Sequence, residues 1–337
     1  WKIETNQPNT VQKSYMLLVK CGEQLVWDSG TVFSDQSVLI PYDGVNLEAE
    51  TRYEVLLKVE DNYGNISQEA AWFETGILKA EDFQAKMITH DFPPTETACP
   101  VFYRKMSFSK KIQKARIYAT AHGVYELYLN GQRIGKDCMA PGWTSYHHRL
   151  QYQCYDITEQ IKEDNLLEIP VGNGWYKGIL GFDCKPDRYG NKVEVFAEIH
   201  IWYEDGQKEV IATDENWHVR TGKIRYSEIY MGETIDTDQP EIVEGKVLEV
   251  PFDKELLTFQ ECEPVRITQR LLAKKLWKDP KGNLLVDFGQ NITGLVEVKI
   301  KGEKGQKIRI RHAEVLDKDG VFYPDTLRTA ISHDTYI

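Results

Sequence analysis

The stretch from Ala115 to Gly181 constrains the fold of this chain most strongly, because it joins an alternating strand pattern to a tight turn. Its VYELYLN segment divides into two sets of side chains: Val124, Leu127 and Leu129 on a predicted buried face, and Tyr125, Glu126 and Tyr128 on the opposite face. A two-residue type I′ turn needs positive φ at both central positions, which Asn tolerates and Gly adopts freely. The sequence therefore predicts a β-hairpin that closes at Asn130-Gly131.

Two glycine-flanked tryptophans follow this hairpin, in the segments Pro141-Gly142-Trp143 and Asn173-Gly174-Trp175-Tyr176, which we interpret as loops. An exposed indole suits sugar binding, because the apolar face of a pyranose stacks on an aromatic ring while fixed polar groups meet its hydroxyls. The alternative is that both tryptophans close the ends of a β-sandwich core, since large aromatic side chains are mostly buried. For either tryptophan taken alone, the sequence favours the buried alternative.

Net charge and composition exclude several classes of function. The net charge of −11 argues against nucleic-acid binding, which requires clustered Lys and Arg. No apolar run approaches the length of a membrane-spanning helix, so we expect no membrane insertion. The six cysteines show no C-x-x-C spacing, which argues against zinc and dithiol redox sites, and we interpret most of them as free thiols.

Short alternating segments separated by turn signals predict an all-β fold of consecutive β-sandwiches. Residues 1–78 resemble a fibronectin type III domain, with Tyr53 before an alternating strand. Residues 79–264 fit a jelly-roll sandwich of the carbohydrate-binding type. Residues 265–337, which include LLVDFGQNITGLVEVKIKG, are predicted to begin a further β-sandwich domain that is cut before its end and before any catalytic barrel.

Catalytic patterns are sparse in this sequence. The most suggestive carboxylates for a glycosidase are Glu233, Asp236, Asp238 and Glu314. Each lies in a turn-rich segment or at a strand end, so a structural role is favoured over catalysis. Asp183, Asp187 and Asn191 supply oxygen donors on one loop, which is the chemistry of a Ca²⁺ site, and the alternative is an ordinary polar loop.

Six motifs in a fixed order carry a resemblance to a known family: YELYLNGQRIG, PGWTSYHHRLQYQCYDIT, GNGWYKGILGF, IYMGETIDT, VDFGQNITGLVEVKIKGEKGQKIRIRHAEVLDKDG and LRTAISHDTYI. With the preceding WDSG-containing domain, they resemble the N-terminal half of bacterial α-L-rhamnosidases of glycoside hydrolase family 78. The resemblance covers essentially the whole chain.

The resemblance carries implications for function. The sandwich that holds the Asn130-Gly131 hairpin is similar to a carbohydrate-binding module, and some such modules bind L-rhamnose with the help of Ca²⁺. The resemblance also implies a parent enzyme that hydrolyses terminal α-L-rhamnosides with inversion, using glutamates of an (α/α)₆ barrel in the same polypeptide. No such helical repeat occurs in this sequence, so we expect this region to lack the catalytic residues.

The residues expected at the site form two groups, sugar contacts and ligands of Ca²⁺ or of hydroxyls: Trp143, Asn173, Trp175 and Tyr176, and then Asp183 and Asp187. The expected partners are rhamnose-containing glycans or glycosides and the catalytic domain of the same polypeptide. The alternative is a purely structural role, in which the β-domains brace that catalytic domain or mediate contacts in a homodimer. The sequence leaves a cytoplasmic and an exported location both open.

Overall fold

The computed structural model describes residues 1–238 and 240–337, and these divide into two compact units, Trp1–Phe83 and Gln84–Ile337. Regular structure in both units is almost entirely β-strand, so the predicted all-β class is confirmed. None of the described helices is long and apolar enough to cross a membrane. The six cysteines are free thiols, as the sequence indicates.

The first unit contains an antiparallel sheet with the strand order β2-β1-β3-β4. Its strands are β1 (Gln12–Cys21), β2 (Gln24–Asp28), β3 (Arg52–Asp61) and β4 (Ile66–Glu74). Tyr15, Leu17 and Val59 form a buried core, because alternate side chains of a strand share one face of the sheet. The buried Tyr53 hydroxyl accepts a hydrogen bond from the Glu48 backbone N–H at 2.7 Å, which is the tyrosine-corner arrangement of immunoglobulin-like sandwiches.

The first part of the second unit contains a two-sheet sandwich and two strands of a further sheet. Its strands are β5 (Met87–His90), β6 (Pro100–Ser107), β7 (Ile112–His122), β8 (Val124–Tyr125), β9 (Tyr128–Leu129), β10 (Gln132–Arg133), β11 (Leu150–Asp156), β12 (Asp164–Gly172), β13 (Glu194–Tyr203), β14 (Lys208–Ala212), β15 (His218–Thr221), β16 (Ile224–Glu228), β17 (Gly232–Ile235), β18 (Glu244–Gly245), β19 (Val247–Val250) and β20 (Leu257–Phe259). A short helix, α1 (Gly174–Lys177), follows β12. Single 3₁₀ turns lie at Ala80–Asp82, Lys254–Leu256 and Asp325–Leu327.

Two sheets enclose the core of this sandwich. One has the strand order β10-β9-β12-β6-β15-β18, with β8 beside β12, and the other has the order β19-β5-β13-β7-β11-β20, with β14 beside β13. Phe102, Leu127, Ile117 and Ile199 belong to one continuous buried cluster that draws on strands of both sheets. The predicted sandwich is therefore confirmed, and its core holds the strands of the Ala115–Gly181 stretch.

The hairpin at Asn130-Gly131 forms as the sequence predicts. Both residues have positive φ, 54° for Asn130 and 75° for Gly131, and Leu129 pairs with Gln132 across the turn. The Asn130 side chain adds two hydrogen bonds, since its Nδ2 donates to Asn165 and its Oδ1 accepts from the Leu166 N–H. These bonds attach the turn to the adjacent strand β12.

The face assignment of this strand is wrong at its beginning. Tyr125 is buried on the same side as Leu127 and Leu129, whereas Val124 is only half-buried. Burial of Tyr125 is possible because its hydroxyl has partners inside the sandwich, donating to the Ala119 carbonyl and to Gln153. A tyrosine in an alternating pattern thus fits either face, and the available partners decide which.

A buried hydrogen bond lies on the face of β13 opposite to the side chains that fill the sandwich core. The fully buried Glu198 contacts the His200 ring nitrogen Nε2 at 2.7 Å. Its other carboxylate oxygen accepts from the backbone N–H groups of Gln84 and Ala85 at 2.7 and 2.8 Å. These partners satisfy the buried charge and hold the segment that enters the second unit against β13.

The last part of the chain shares a sheet with the preceding strands. Its strands are β21 (Lys275–Lys278), β22 (Leu284–Asp287), β23 (Ile308–Arg311), β24 (Val315–Leu316), β25 (Phe322–Tyr323) and β26 (His333–Tyr336). β23 and β26 join β16 and β17 in the order β16-β17-β26-β23, and β17 runs parallel to β26. β21 pairs with β22 and β24 with β25.

The segment GLVEVKIKG, which the sequence places in a further β-sandwich, forms no strand in this structure. Residues 288–307, all of them described, contain no strand, and Leu295, Val298 and Ile300 are exposed. Alternation of apolar residues is necessary for a half-buried strand, but a strand also needs a neighbour to pair with its backbone N–H and C=O groups. The three predicted domain ranges stay predictions.

Candidate functional site

The structure brings together the two tryptophans that the sequence places on separate loops. The ring centroids of Trp143 and Trp175 lie 6.1 Å apart and their planes differ by 8°, which is an offset parallel stack. Trp143 is 56% exposed and Trp175 is partly exposed. For Trp143 this excludes burial in the sandwich core, and the pair forms an aromatic surface at one end of the sandwich.

Glycine makes both loops possible. Gly142 and Gly174 precede the two tryptophans and have φ of 91° and 54°, conformations that side chains rarely adopt. A Cβ at Gly174 would also lie 2.7 Å from a methyl of Val124. The Trp175 loop therefore packs directly on the strand that begins the hairpin, and a larger residue would push it away.

Further aromatic rings support the tryptophan pair from below. The Trp143 indole N–H donates to the Tyr189 hydroxyl at 3.4 Å, and the Tyr189 ring packs edge-on against Tyr146 at 4.8 Å. Tyr176, which the sequence proposes as a sugar contact, is 8% exposed and stacks on His122 at 4.2 Å. Burial raises the pKa of Tyr176 to about 12, and the negative charge of Glu194 adds to the effect. Tyr176 thus lies beneath the aromatic surface, and its role as a sugar contact stays a prediction.

His122 is a polar residue of this aromatic cluster that the sequence did not suggest. Its Nδ1 contacts the Glu194 carboxylate at 2.6 Å, while Nε2 is buried and has no hydrogen-bond partner among the described residues. β7 and β13 are paired antiparallel strands, and in their register His122 lies directly opposite Glu194. No sequence signal marks the pair, because its members are 72 residues apart and neither lies in a motif.

Asn173 is anchored by a carboxylate. Its Nδ2 donates to Glu228 Oε1 at 3.0 Å, and the second oxygen of Glu228 accepts from the Ile179 backbone N–H at 3.3 Å. Asn173 immediately precedes α1, and Ile179 follows it, so one carboxylate contacts both ends of the loop that carries Trp175. Glu228 ends β16 and was not among the residues that the sequence suggested.

Asp183 and Asp187 lie on an exposed loop that follows α1. Asp183 forms an ion pair with Arg188 and lies 3.7 Å from the Lys185 amine. Partial desolvation opposes ionisation, but the charge and hydrogen bond of Arg188 outweigh it, so the pKa of Asp183 is lowered. Among the described residues, no group of three or more His, Cys, Asp or Glu side chains converges as a metal site. Asp183 is therefore already paired with Arg188 and close to Lys185, and a calcium ion would have to displace these two side chains.

Of the four suggestive carboxylates, Glu233 and Asp236 have structural contacts and Glu314 faces solvent. Asp236 accepts the backbone N–H of Asp238 in a turn, and Glu314 is exposed. Burial raises the pKa of Glu233, and the nearby charge of Asp334 raises it further. Asp334 in turn accepts the Glu233 backbone N–H at 3.1 Å, so this acidic pair is part of the β17–β26 contact.

The remaining tryptophans differ from this pair. Trp217 is buried and donates to the Ala212 carbonyl, and Trp1 and Trp27 pack against the core of the first unit. Cationic side chains lie over the rings of the other three: Arg52 over Trp72, Lys114 and Lys208 over Trp202, and Lys275 over Trp277. In the described part of the chain, no cation lies over Trp143 or Trp175. Their exposed faces are thus available to a ligand.

Comparison with known families covers almost the whole chain. Residues 1–79 match a model described as the Rha78A-like N-terminal immunoglobulin domain, and residues 110–269 match the α-L-rhamnosidase N-terminal domain. Residues 277–337 match the concanavalin-like domain of bacterial α-L-rhamnosidases. The chain has the N-terminal domains of α-L-rhamnosidases.

Individual α-L-rhamnosidases agree with this assignment. The enzyme of Formosa agariphila is 31% identical over 381 residues, covering 100% of this chain and 40% of the relative. That of Streptomyces avermitilis is 38% identical over 242 residues, covering 67% of this chain and 23% of the relative. The crystal structure of native α-L-rhamnosidase from Aspergillus terreus superimposes with a TM-score of 0.88 at 31% identity, covering 99% of this chain and 41% of that one.

The family assignment sharpens two predictions from the sequence. The resemblance to the N-terminal half of α-L-rhamnosidases is confirmed, and this chain spans 23% to 40% of the length of the curated relatives it matches. The first unit matches an immunoglobulin domain, which confirms its β-sandwich class. The finer fibronectin type III assignment stays a prediction.

Proposed function

We propose that this chain is the carbohydrate-binding accessory region of an α-L-rhamnosidase and that the Trp143–Trp175 surface binds the terminal L-rhamnose of a glycan or glycoside. The single observation that supports this most is the pair of near-parallel indoles with no cation over either ring in the described residues. Exposure of aromatic rings to water is unfavourable, so a ligand that covers them gains binding free energy. A deoxysugar offers an apolar face and a methyl group for that contact.

Asn173 supplies the polar complement to this aromatic surface. It lies two residues before Trp175 and is partly exposed. An amide beside an aromatic surface can fix the orientation of a stacked sugar through its hydroxyls, while the stacking itself is tolerant of orientation. We therefore propose that Trp143 and Trp175 provide most of the affinity and Asn173 most of the selectivity.

Titration calorimetry with L-rhamnose tests this proposal. We expect binding by the wild-type chain and a loss of about tenfold or more in affinity for Trp143→Ala and for Trp175→Ala. Trp72→Ala is the matched control, because Trp72 is 57% exposed but covered by Arg52, and we expect it to bind rhamnose as the wild type does. Absence of binding by the wild-type chain, or equal losses for all three variants, would refute the proposal.

We propose further that hydrolysis belongs to another part of the same polypeptide. An inverting glycosidase places an acid and a base about 6.5–9.5 Å apart across the substrate. Asp236 and Asp334 instead accept backbone hydrogen bonds, and Glu228 and Glu194 near the tryptophan pair are engaged by Asn173 and His122. We expect this chain to leave an aryl α-L-rhamnoside intact and a longer chain with the catalytic barrel to cleave it, and cleavage by this chain alone would refute the division of labour.

Bracing of the catalytic domain is a second candidate function. The observation that favours it is the β16-β17-β26-β23 sheet, in which two strands that follow the sandwich strand β15 pair with strands from the last part of the chain. Such a sheet can hold adjacent parts of the polypeptide in a fixed arrangement, and it needs no bound sugar to do so. A homodimer through these β-domains stays a prediction, which sedimentation velocity would test.

A calcium ion at Asp183 and Asp187 also stays a prediction from the sequence. The ion pairs of Asp183 weigh against it, because an ion would have to displace Arg188 and Lys185. Thermal unfolding in excess CaCl₂ and in EDTA gives the test. A higher melting temperature in CaCl₂ that disappears in Asp183→Asn would support the site, and identical curves would exclude it.

A further inference from the structure

Glu228 holds the tryptophan-bearing loop at both of its ends. One oxygen of its carboxylate accepts from Asn173 Nδ2 at 3.0 Å, and the other accepts from the Ile179 N–H at 3.3 Å. Trp175 lies between these two anchored residues. A single side chain on a neighbouring sheet therefore contacts the start and the end of a seven-residue loop whose middle is packed through Tyr176 on His122.

The backbone of β16 reinforces this attachment. The Asn173 N–H donates to the Ser227 carbonyl at 3.2 Å, and a Cβ at Gly172 would lie 3.2 Å from the Ser227 hydroxyl. The loop thus lies close along the end of β16 over several residues. Its position depends on the strand that carries Glu228, and β16 in turn pairs through β17 with β26.

Glu228 also determines which end of the Asn173 amide is free. The amide has a donor end and an acceptor end, and the carboxylate can only accept, so it engages the Nδ2 donor. In the described part of the chain, no protein donor reaches Asn173 Oδ1. The acceptor end of the amide therefore remains for a hydroxyl donor of a ligand.

Hydrogen bonds at both oxygens fix the position of this carboxylate. Asn173 Nδ2 donates to one oxygen and the Ile179 N–H to the other, so rotation of the carboxylate would break at least one charge-assisted bond. The charge of Glu228 also acts on its own strand, where it adds to burial in raising the pKa of Tyr226. Glu228 is thereby suited to hold other groups in place.

We infer that Glu228 is the positioning residue of the sugar site, fixing the Trp175 loop and presenting the Asn173 carbonyl oxygen to a sugar hydroxyl. This inference rests on the proposed function, since it assigns a selectivity determinant to the same aromatic surface. The ligand class it implies is a sugar with a free hydroxyl that donates to Asn173 while the apolar face covers the indoles. A ligand without that hydroxyl would keep the stacking and lose the selectivity.

The test compares Glu228→Ala, Glu228→Gln, Asn173→Ala and the double variant Glu228→Ala/Asn173→Ala in calorimetric titrations with L-rhamnose. We expect Glu228→Ala to weaken binding about tenfold, and Glu228→Gln to weaken it less, because Gln keeps one acceptor oxygen. The double variant should bind about as Asn173→Ala does, since Glu228 acts through Asn173. Glu215→Ala, which removes an exposed carboxylate, is the matched control and should bind as the wild type does.

A measurement without sugar separates this inference from the proposed function. We expect hydrogen exchange of the Ile179 amide to be at least tenfold faster in Glu228→Ala than in wild type, with an unchanged rate for core amides such as Ile199. Unchanged exchange at Ile179, or fully additive losses of rhamnose affinity, would overturn the role of Glu228. Faster exchange in a chain that binds no rhamnose would uphold the anchoring of the loop, overturn the assignment of Asn173 to a sugar and refute the proposed function.

Discussion

The buried interior around Glu198 and the aromatic end of the sandwich treat polar groups in opposite ways. In that interior, on the face of β13 away from the sandwich core, Glu198 uses both carboxylate oxygens on His200 and on two backbone N–H groups. At the aromatic end, Trp143 keeps more than half of its surface exposed, and the Asn173 carbonyl oxygen has no protein donor among the described residues. Polar groups whose hydrogen bonds are all made within the protein stabilise the fold. Groups with an unused hydrogen-bond acceptor or an exposed ring face can bind a ligand. Changes inside should therefore alter stability alone, and changes at the aromatic end should alter binding alone.

The largest effect is expected from Glu198→Ala. This change removes the carboxylate that contacts His200 and accepts from the N–H groups of Gln84 and Ala85, and each buried donor left unsatisfied costs about 1–3 kcal/mol. Urea unfolding should show this loss, and the Glu215→Ala control should unfold as the wild type does. If the variant still folds, its rhamnose affinity should be unchanged. A large loss of affinity with normal stability would show that the interior and the aromatic end are not separate.

The second effect is a pH dependence from His90. Burial, with the positive charges of Lys192 and Lys177 and against the opposing charge of Asp91, lowers the pKa of His90 to about 4. An unfolded histidine titrates near 6.5, so between pH 6.5 and 4 the unfolded state binds the extra proton. Stability from this group is therefore complete above pH 6.5 and falls by about 3 kcal/mol as the pH drops to 4.

Comparison of wild type with His90→Asn isolates this contribution. Asn has no titrating ring but can still accept the Phe92 N–H that His90 Nδ1 accepts at 3.3 Å. Urea unfolding from pH 7 to pH 4 should show a smaller loss of stability in the variant than in wild type. Parallel pH profiles for the two proteins would contradict the assignment to His90.

A smaller effect on stability is expected at the hairpin. Gly131 has φ of 75° and open space around its missing Cβ, so Gly131→Ala adds conformational strain without a clash. The strain of a left-handed alanine is about 1 kcal/mol. Thermal unfolding should show a correspondingly small decrease in melting temperature. A much larger decrease would mean that the turn carries packing that the structure does not show.

The smallest effects on stability are expected at the aromatic surface itself. Trp143→Ala should change the free energy of unfolding by less than about 1 kcal/mol, because the side chain is mostly exposed. Urea unfolding of this variant beside Trp217→Ala, which removes a buried indole, gives the contrast. Equal destabilisation of the two would identify Trp143 as a core residue.

The fold was predictable where local chemistry decides it. Asn130-Gly131 specifies a turn by its own backbone preferences, and the apolar alternation of β7 and β13 specifies buried strands. Tyr125 and the segment around Val298 were not predictable in the same way. The face of Tyr125 depends on Ala119 and Gln153 as partners of its hydroxyl, and the Val298 segment lacks a neighbouring strand within the described residues.

The site was predictable only in part for a related reason. Trp143 and Trp175 could be proposed as sugar contacts because each follows a glycine in a predicted loop, but for either one alone the sequence favoured burial, and for Trp143 that was wrong. Glu228 and His122 could not be proposed, because their roles arise from contacts between residues 55 and 72 positions apart. Tyr176 follows Trp175 directly, but it points to the interior and stacks on His122. Of two adjacent residues in one loop, Trp175 thus lies at the surface and Tyr176 packs beneath it.

A crystal structure of the wild-type chain with L-rhamnose tests the central claim most directly. We expect a pyranose with its apolar face on Trp143 and Trp175 and a hydroxyl within hydrogen-bond distance of Asn173 Oδ1. Rhamnose bound in a groove between two opposed carboxyl groups elsewhere in the chain, or no sugar on the indoles in crystals whose surface there is open, would contradict the account.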